Sequence, residues 1–371
     1  MSVEPLAGYT IGITAARRRD EFAAALERRG AAVISAPAIT LVPLADDTSL
    51  RAATDRCLGS PPDVVIATTG IGFRGWIEAA DAWGLASDLL KVLGQATVLA
   101  RGPKARGAVR AAGLRETWSP DSESSTEVLE YLIARGDLDG RRVAVQLHGE
   151  PLPDLVQALR LAGAEVIEVP VYRWVLPDDT APLHRLIQAV CAGSADAVAF
   201  TSAPAAASFL QAAESLGCAD LVHTALRGPV VPACVGPVTA GPLHAAGIAV
   251  LQPDRARLGA LIREIVEQVP LRRGLAVPAA GHVLDIRGQA VVVDGRLAPL
   301  TGAGMALLRE LSVRPGHVVS RADLLRVSPG DGGDNHAVEV AVGRLRAALG
   351  DPRIIQTVVK RGYRLAYEPV S

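Results

Sequence analysis

The residues best suited to chemistry lie near the C-terminus, in the run DNHAVEVAVGRLRAAL from Asp334 to Leu349. Val338, Val342, Leu345 and Leu349 recur at i, i+4, i+7 and i+11, the period of one buried helix face. The opposite side carries His336, Val340, Gly343 and Ala347, edged by Arg344 and Arg346. Such a face is lean enough to enter a DNA major groove, and arginine can pair with base edges there. Gly350 and Pro352 then end the helix. Two short strands, Ile354 to Val359 and Tyr363 to Leu365, flank the basic turn Lys360-Arg361-Gly362, whose cations suit phosphate or the minor groove. From Asn335 to Arg364 there are six cations against two acids, which predicts salt-dependent binding to duplex DNA.

A second set of candidates sits at strand-to-helix junctions: Thr68-Thr69-Gly70, Thr201-Ser202, and Gly236 through Thr239. A junction of this kind offers backbone N–H groups and the positive end of a helix dipole to a carboxylate. The same residue types are also ordinary helix caps. Tyr172 lies in an extended apolar segment and is the one candidate catalytic side chain, although packing is an equally good use for it. The seven histidines form no HExxH motif and the four cysteines no CxxC, so no metal site and no cofactor are expected. Gly70-Ile71-Gly72 lacks the third glycine and the ribose acid of a dinucleotide fingerprint.

The elements that must hold these junctions repeat. Residues from Tyr9 to about Gln268 contain the same four modules twice. Gly30 and Gly163, Pro37 and Pro170, and Asp63 and Asp196 are each 133 residues apart; Gly102 and Gly236, and Gly113 and Gly247, are each 134 apart. Alternating apolar strands and amphipathic helices predict parallel sheets covered on both faces. Two Pro-bounded connections, Ala38 to Pro43 and Val171 to Pro177, lack turn residues and read as a two-stranded bridge. The expected fold is α/β: two similar parallel-sheet lobes joined by a two-stranded linker, plus a C-terminal winged helix-turn-helix domain. The expected bilobal domain is 1–270, with one lobe from 8–37 and 178–268 and the other from 44–169. A linker at 271–280 and a winged-helix domain at 281–371 follow.

From about Leu284 to Leu365 the sequence resembles the winged-helix effector domain of OmpR-type response regulators. The resemblance rests on Pro299-Leu300-Thr301, on Val318 through Leu325 with Ser320 as an N-cap, on Ala337-Val338-Glu339-Val340, on Arg344-Leu345-Arg346, and on Gln356-Thr357-Val358 with Gly362-Tyr363-Arg364. It implies that His336, Arg344, Arg346, Lys360 and Arg361 bind DNA. No receiver domain is expected: the first strand ends in Thr14-Ala15-Ala16-Arg17, and Asp46-Asp47 follows the bridge instead of that strand.

Residues 8 to 268 resemble uroporphyrinogen-III synthase. Phe200-Thr201-Ser202, Val235 through Ala240, and Pro170-Val171-Tyr172 carry this likeness in order. It implies two lobes around a cleft, and cofactor-independent closure and isomerisation of hydroxymethylbilane. It also implies Thr69, Gly70, Thr201, Ser202, Gly236 and Thr239 as contacts for a tetrapyrrole carboxylate. Ala105 stands where the duplicate has Thr239, so loss of turnover with retained binding is expected. The fused architecture resembles orphan regulators of nitrate and nitrite assimilation in actinobacteria. Two functions stay open: a transcription regulator whose synthase-like domain senses a tetrapyrrole or meets a second regulator, and a working synthase with a DNA-binding tail.

Composition agrees with a split of labour. Of the 371 residues, those from Gly281 onward hold twelve Lys and Arg against nine Asp and Glu, while the whole chain has net charge -1. A mildly acidic body with a basic end fits promoter DNA bound by the end alone. No signal-peptide pattern is present, and no apolar run approaches the ~18 residues of a membrane span, so a cytoplasmic protein without a membrane partner is expected.

Overall fold

The computed structural model describes residues 3–44, 48–121, 124–149, 152–327 and 335–367, without the side chains of His148 and Asn335. Asp46, Asp47 and Asp334, singled out above, lie outside the described residues. The chain divides into two compact units: Thr40–Val175, and Met1–Ile39 with Leu176–Ser371.

The unit Thr40–Val175 is built on a five-stranded sheet. Its order is Thr40–Pro43, Glu165–Val175, Arg142–Gly149, Val64–Ala67 and Thr97–Ala100. All pairings are parallel except the first, where Thr40 meets Val175 and Pro43 meets Tyr172 antiparallel. This antiparallel pair is the two-stranded linker read from the Pro-bounded connections. Side chains alternate across a strand. Val65 and Ala67 therefore enter one core with Phe73, Trp76 and Leu89, while Val64 and Ile66 enter another with Leu132, Leu155 and Leu159. Both faces are dry, so the strand reads as an unbroken apolar run.

The second unit opens with a four-stranded parallel sheet in the order Ala32–Ser35, Thr10–Ile13, Ala197–Phe200 and Val231–Cys234. The duplication is visible atom by atom. Asp63 N donates to Arg142 O at 2.8 Å, and its carboxylate accepts from Arg142 N at 2.8 Å. Asp196 does the same with Thr10, its carboxylate accepting from Thr10 N at 2.9 Å.

Residues 271–280, expected as a linker, belong to regular elements. The helix Leu258–Arg273 is followed after Gly274 by the strand Leu275–Ala279. Pro270 does not end the helix, because a proline costs one i→i−4 bond, and the last turn continues through Gly274 N to Pro270 O at 2.8 Å. The strand begins a four-stranded antiparallel sheet with His282–Ile286, Ala290–Val293 and Arg296–Pro299, which the sequence reading did not find. Its signals were there. Ala280-Gly281 and Asp294-Gly295 have positive φ at both positions, as two-residue hairpin turns of type I′ require.

The helices Gly302–Val313, Arg321–Val327 and Asn335–Leu349 follow, and then the hairpin Ile355–Val358 and Gly362–Leu365. Thr301 and Ser320 cap the first two, accepting from Gly304 N and Asp323 N at 3.1 Å each. One core joins Leu284, Ile286, Met305, Leu308, Leu324, Val338, Val342, Leu345 and Leu365, which makes this a winged helix. Among the described residues no helix is long and apolar enough to cross a membrane.

Candidate functional site

The helix Asn335–Leu349 anchors itself as its period requires. Val338, Val342, Leu345 and Leu349 are buried, and His336, Val340, Gly343, Arg344 and Ala347 are exposed. The two arginines part company. Arg344 faces solvent. Arg346 donates to Ile355 O at 2.8 and 2.6 Å and to Thr357 Oγ1 at 2.9 Å, and lies 5.8 Å from the Tyr363 ring centre. Residues two apart on an α-helix point about 200° away from each other, so one edge cannot hold both. Arg346 is thus a strut between helix and wing, a role that helix geometry alone could have suggested.

The wing is fixed at its base and open at its tip. Val319 and Tyr363 exchange backbone bonds at 2.8 and 3.0 Å. Gly362 has φ +137°, and a Cβ there would lie 2.0 Å from Val319 O, so glycine is required. Arg321 lies 5.3 Å from the Tyr363 ring and pairs with Glu339 at 3.4 Å. Lys360 and Arg361 are exposed beside Val359. Sequence reasoning missed Tyr363 as the pivot between two guanidinium groups, and also a histidine clamp. His282 Nδ1 lies 2.6 Å from Asp294 Oδ2, and its Nε2 lies 3.2 Å from Asp351 Oδ2. This ties the turn after the helix to the antiparallel sheet. The hydrogen bonds to Asp294 and then Asp351 raise the His282 pKa, while Arg353 holds the Asp351 carboxyl well below the usual carboxylate range.

In the unit Thr40–Val175, Thr69 caps the helix Gly70–Ala82, accepting from Gly72 N at 3.1 Å, and lies 3.2 Å from the hydroxyl of buried Tyr172. Tyr172 also packs edge-on against Trp174. Gly70 is buried, and a Cβ on it would stand 2.3 Å from Lys104 O, so it permits close backbone packing. The centre of this junction is Gln146, which the sequence reading passed over. Its side chain is buried and its Oε1 accepts from Thr68 N at 3.2 Å and Thr69 N at 3.1 Å. A lone glutamine in an apolar strand was the available signal.

In the other unit, Ser202 caps the helix Ala203–Ser215 through Ala205 N at 3.4 Å, with Thr201 half-buried beside it. Gly236 is the cap position of the helix Pro237–Ala245, and a Cβ there would meet Ala256 Cβ at 2.8 Å. Thr239, read as a capping residue, is buried inside that helix, as Ala105 is in the duplicate. It lies three residues past the cap position Gly236. Among the described residues no group of three or more His, Cys, Asp or Glu side chains could hold a metal ion.

Comparison with known proteins separates the same two parts. Residues 20–263 match the family described as uroporphyrinogen-III synthase HemD, and residues 295–365 match the transcriptional regulatory protein C-terminal family. An uncharacterized Bacillus subtilis protein, YjjA, is 30% identical over 266 residues, which is 71% of this chain and 96% of that one. A mutant uroporphyrinogen III synthase from Thermus thermophilus is 30% identical with a TM-score of 0.58, covering 71% of this chain and all of that one. The Streptomyces coelicolor transcriptional regulatory protein CseB is 46% identical over 84 residues, 22% of this chain and 36% of that one. Two compact α/β lobes built by duplication, followed by a winged helix, therefore make this chain a member of the uroporphyrinogen-III synthase family that carries an OmpR-type DNA-binding domain at its C-terminal end.

Proposed function

We propose that the protein is a promoter-binding transcription regulator whose synthase-like lobes bind a tetrapyrrole carboxylate without turning it over. The observation that carries the DNA half is the open face of Asn335–Leu349, where His336, Gly343, Arg344 and Ala347 are exposed, beside an exposed wing tip bearing Lys360 and Arg361. Arg344 reads bases, Lys360 and Arg361 grip phosphate, and Arg346 holds the wing in place for them. The ligand half rests on family membership and on the Ser202 and Gly236 helix ends. Tyr172, buried and hydrogen-bonded to Thr69, serves packing in this reading. The target genes are those of nitrate and nitrite assimilation, on the resemblance of the fused architecture, and a second transcription regulator is the partner class that resemblance suggests.

Gel shifts of the full chain test the DNA half. Arg344→Ala should cost about 1–3 kcal/mol on a selected site and relax base preference. Lys360→Ala with Arg361→Ala should weaken all sequences alike and flatten the salt dependence. Equal loss on selected and random DNA for Arg344→Ala would remove it as the reader. Melting with hydroxymethylbilane or uroporphyrinogen tests the ligand half, since a ligand of the native state raises the transition. Robust product formation would instead make the protein a working synthase with a DNA-binding end.

A further inference from the structure

The turn Arg287–Gln289 of the winged-helix domain is seated on the first residues of the chain. Gln289 N donates to Gly8 O at 2.6 Å. Arg287 donates to Ala7 O at 2.8 Å and Glu4 O at 3.2 Å, lies 5.7 Å from the Tyr9 ring centre, and is oriented by Asp285 at 2.8 Å. Between them Gly288 is buried, and a Cβ added to it would stand 2.0 Å from Asp196 Oδ2. Asp196 is only 1% exposed and is already engaged by Thr10 N and by Arg273, from the helix leading out of the lobe, at 3.3 Å. Arg309, from the first helix of the winged domain, donates to Gly288 O.

One buried carboxylate thus touches the lobe's sheet, the outgoing helix and the DNA-binding domain's turn. Most of the bonds across this contact end on backbone atoms, which fixes one register. Gly274 alone separates the lobe's last helix from the winged domain's first strand, leaving little chain for a swing. With the lobe in place, Arg344, Gly343, Ala347, Lys360 and Arg361 remain exposed.

We infer that the turn 287–289 clamps the winged helix to the lobe containing Asp196 as one body, and that this docked form is the one that meets DNA. The clamp does not depend on what the lobes bind.

Limited trypsin digestion of the full chain tests this at Arg272 and Arg273. The native chain should be cut there slowly, and Gly288→Ala at least about tenfold faster, because its methyl group displaces the docked turn. If Gly288→Ala fails to fold, Arg287→Ala carries the test with the same expected acceleration. Asp63→Asn, which alters the equivalent aspartate in the unit Thr40–Val175, should leave cutting at Arg272 and Arg273 unchanged. Equal rates for the native chain and the clamp variants would overturn the clamp. Repeating the digestion with random-sequence duplex at low salt tests the docked form. Unchanged resistance supports it, and DNA-accelerated cutting or tighter binding by Gly288→Ala would overturn it. A chain that resists trypsin but binds no duplex would strike the DNA-binding reading and leave the clamp standing.

Discussion

Asp63 and Asp196 began as the same residue in two copies of one lobe, and they now do different work. Each holds the first N–H of the adjacent strand, Arg142 or Thr10, at nearly equal distance. Among the described residues, Asp196 alone of the two also takes a salt bridge, from Arg273, and it faces Gly288 of the winged domain. The junctions differ as well. Gln146 fills the Thr68–Thr69 junction, and its positional equivalent, Thr14, spends its shorter side chain on Ala199 O at 3.1 Å. One lobe has closed its helix end from within, and the other carries the DNA-binding domain. Duplication preserved backbone geometry while a few side chains took on separate tasks.

The largest test of this contrast is Asp196→Ala against Asp63→Ala. Breaking a buried pair from one side should cost about 3–5 kcal/mol in the unit with Asp196. Losing one hydrogen bond should cost about 1–2 kcal/mol in the other. Denaturant melts followed by hydrogen exchange in each unit would read both, and equal losses would erase the distinction. Next is Gln146→Leu against Thr14→Val. The first strands two backbone donors and should cost about 2–4 kcal/mol, whereas the second removes one hydroxyl bond at about 1 kcal/mol. The order would reverse if Gln146 were merely filling space.

Smaller effects come from the caps. Thr69→Ala and Ser202→Ala should each cost about 1 kcal/mol. Thr69→Ala should be the worse of the two, since its hydroxyl also meets Tyr172, and Tyr172→Phe in both backgrounds should bring them level. The smallest effect is a pH dependence confined to the unit that carries the winged helix. His282 has a raised folded-state pKa, so its contribution is fully present below its unfolded value, near 6.5, and is lost as pH rises through the higher folded value. The melting temperature of that unit should fall through this window, His282→Ala should flatten the fall, and the unit Thr40–Val175 should not follow it. A fall that persists in His282→Ala would assign it to other groups.

The sequence by itself determined the two lobes, the paired connection between them and the winged helix. Each follows from signals written over short stretches: alternation across strands, the 3.6-residue period that buries Val338, Val342, Leu345 and Leu349, and a repeat register held over 133 residues. The caps at Thr69, Ser202, Thr301 and Ser320 were legible for the same reason, since a cap bonds within its own first turn. Tertiary structure alone decided what those elements do to one another. Gln146 meets Thr68 from 78 residues away, Arg273 meets Asp196 from 77, and Asp196 meets Thr10 from 186. No periodicity reports such pairings, because burial and hydrogen-bond partners depend on which distant backbone the fold brings alongside. The linker at 271–280 failed on the same ground: Pro270 was a local sign of a break, and the contacts around Asp196 and Gly288 keep the chain ordered through it.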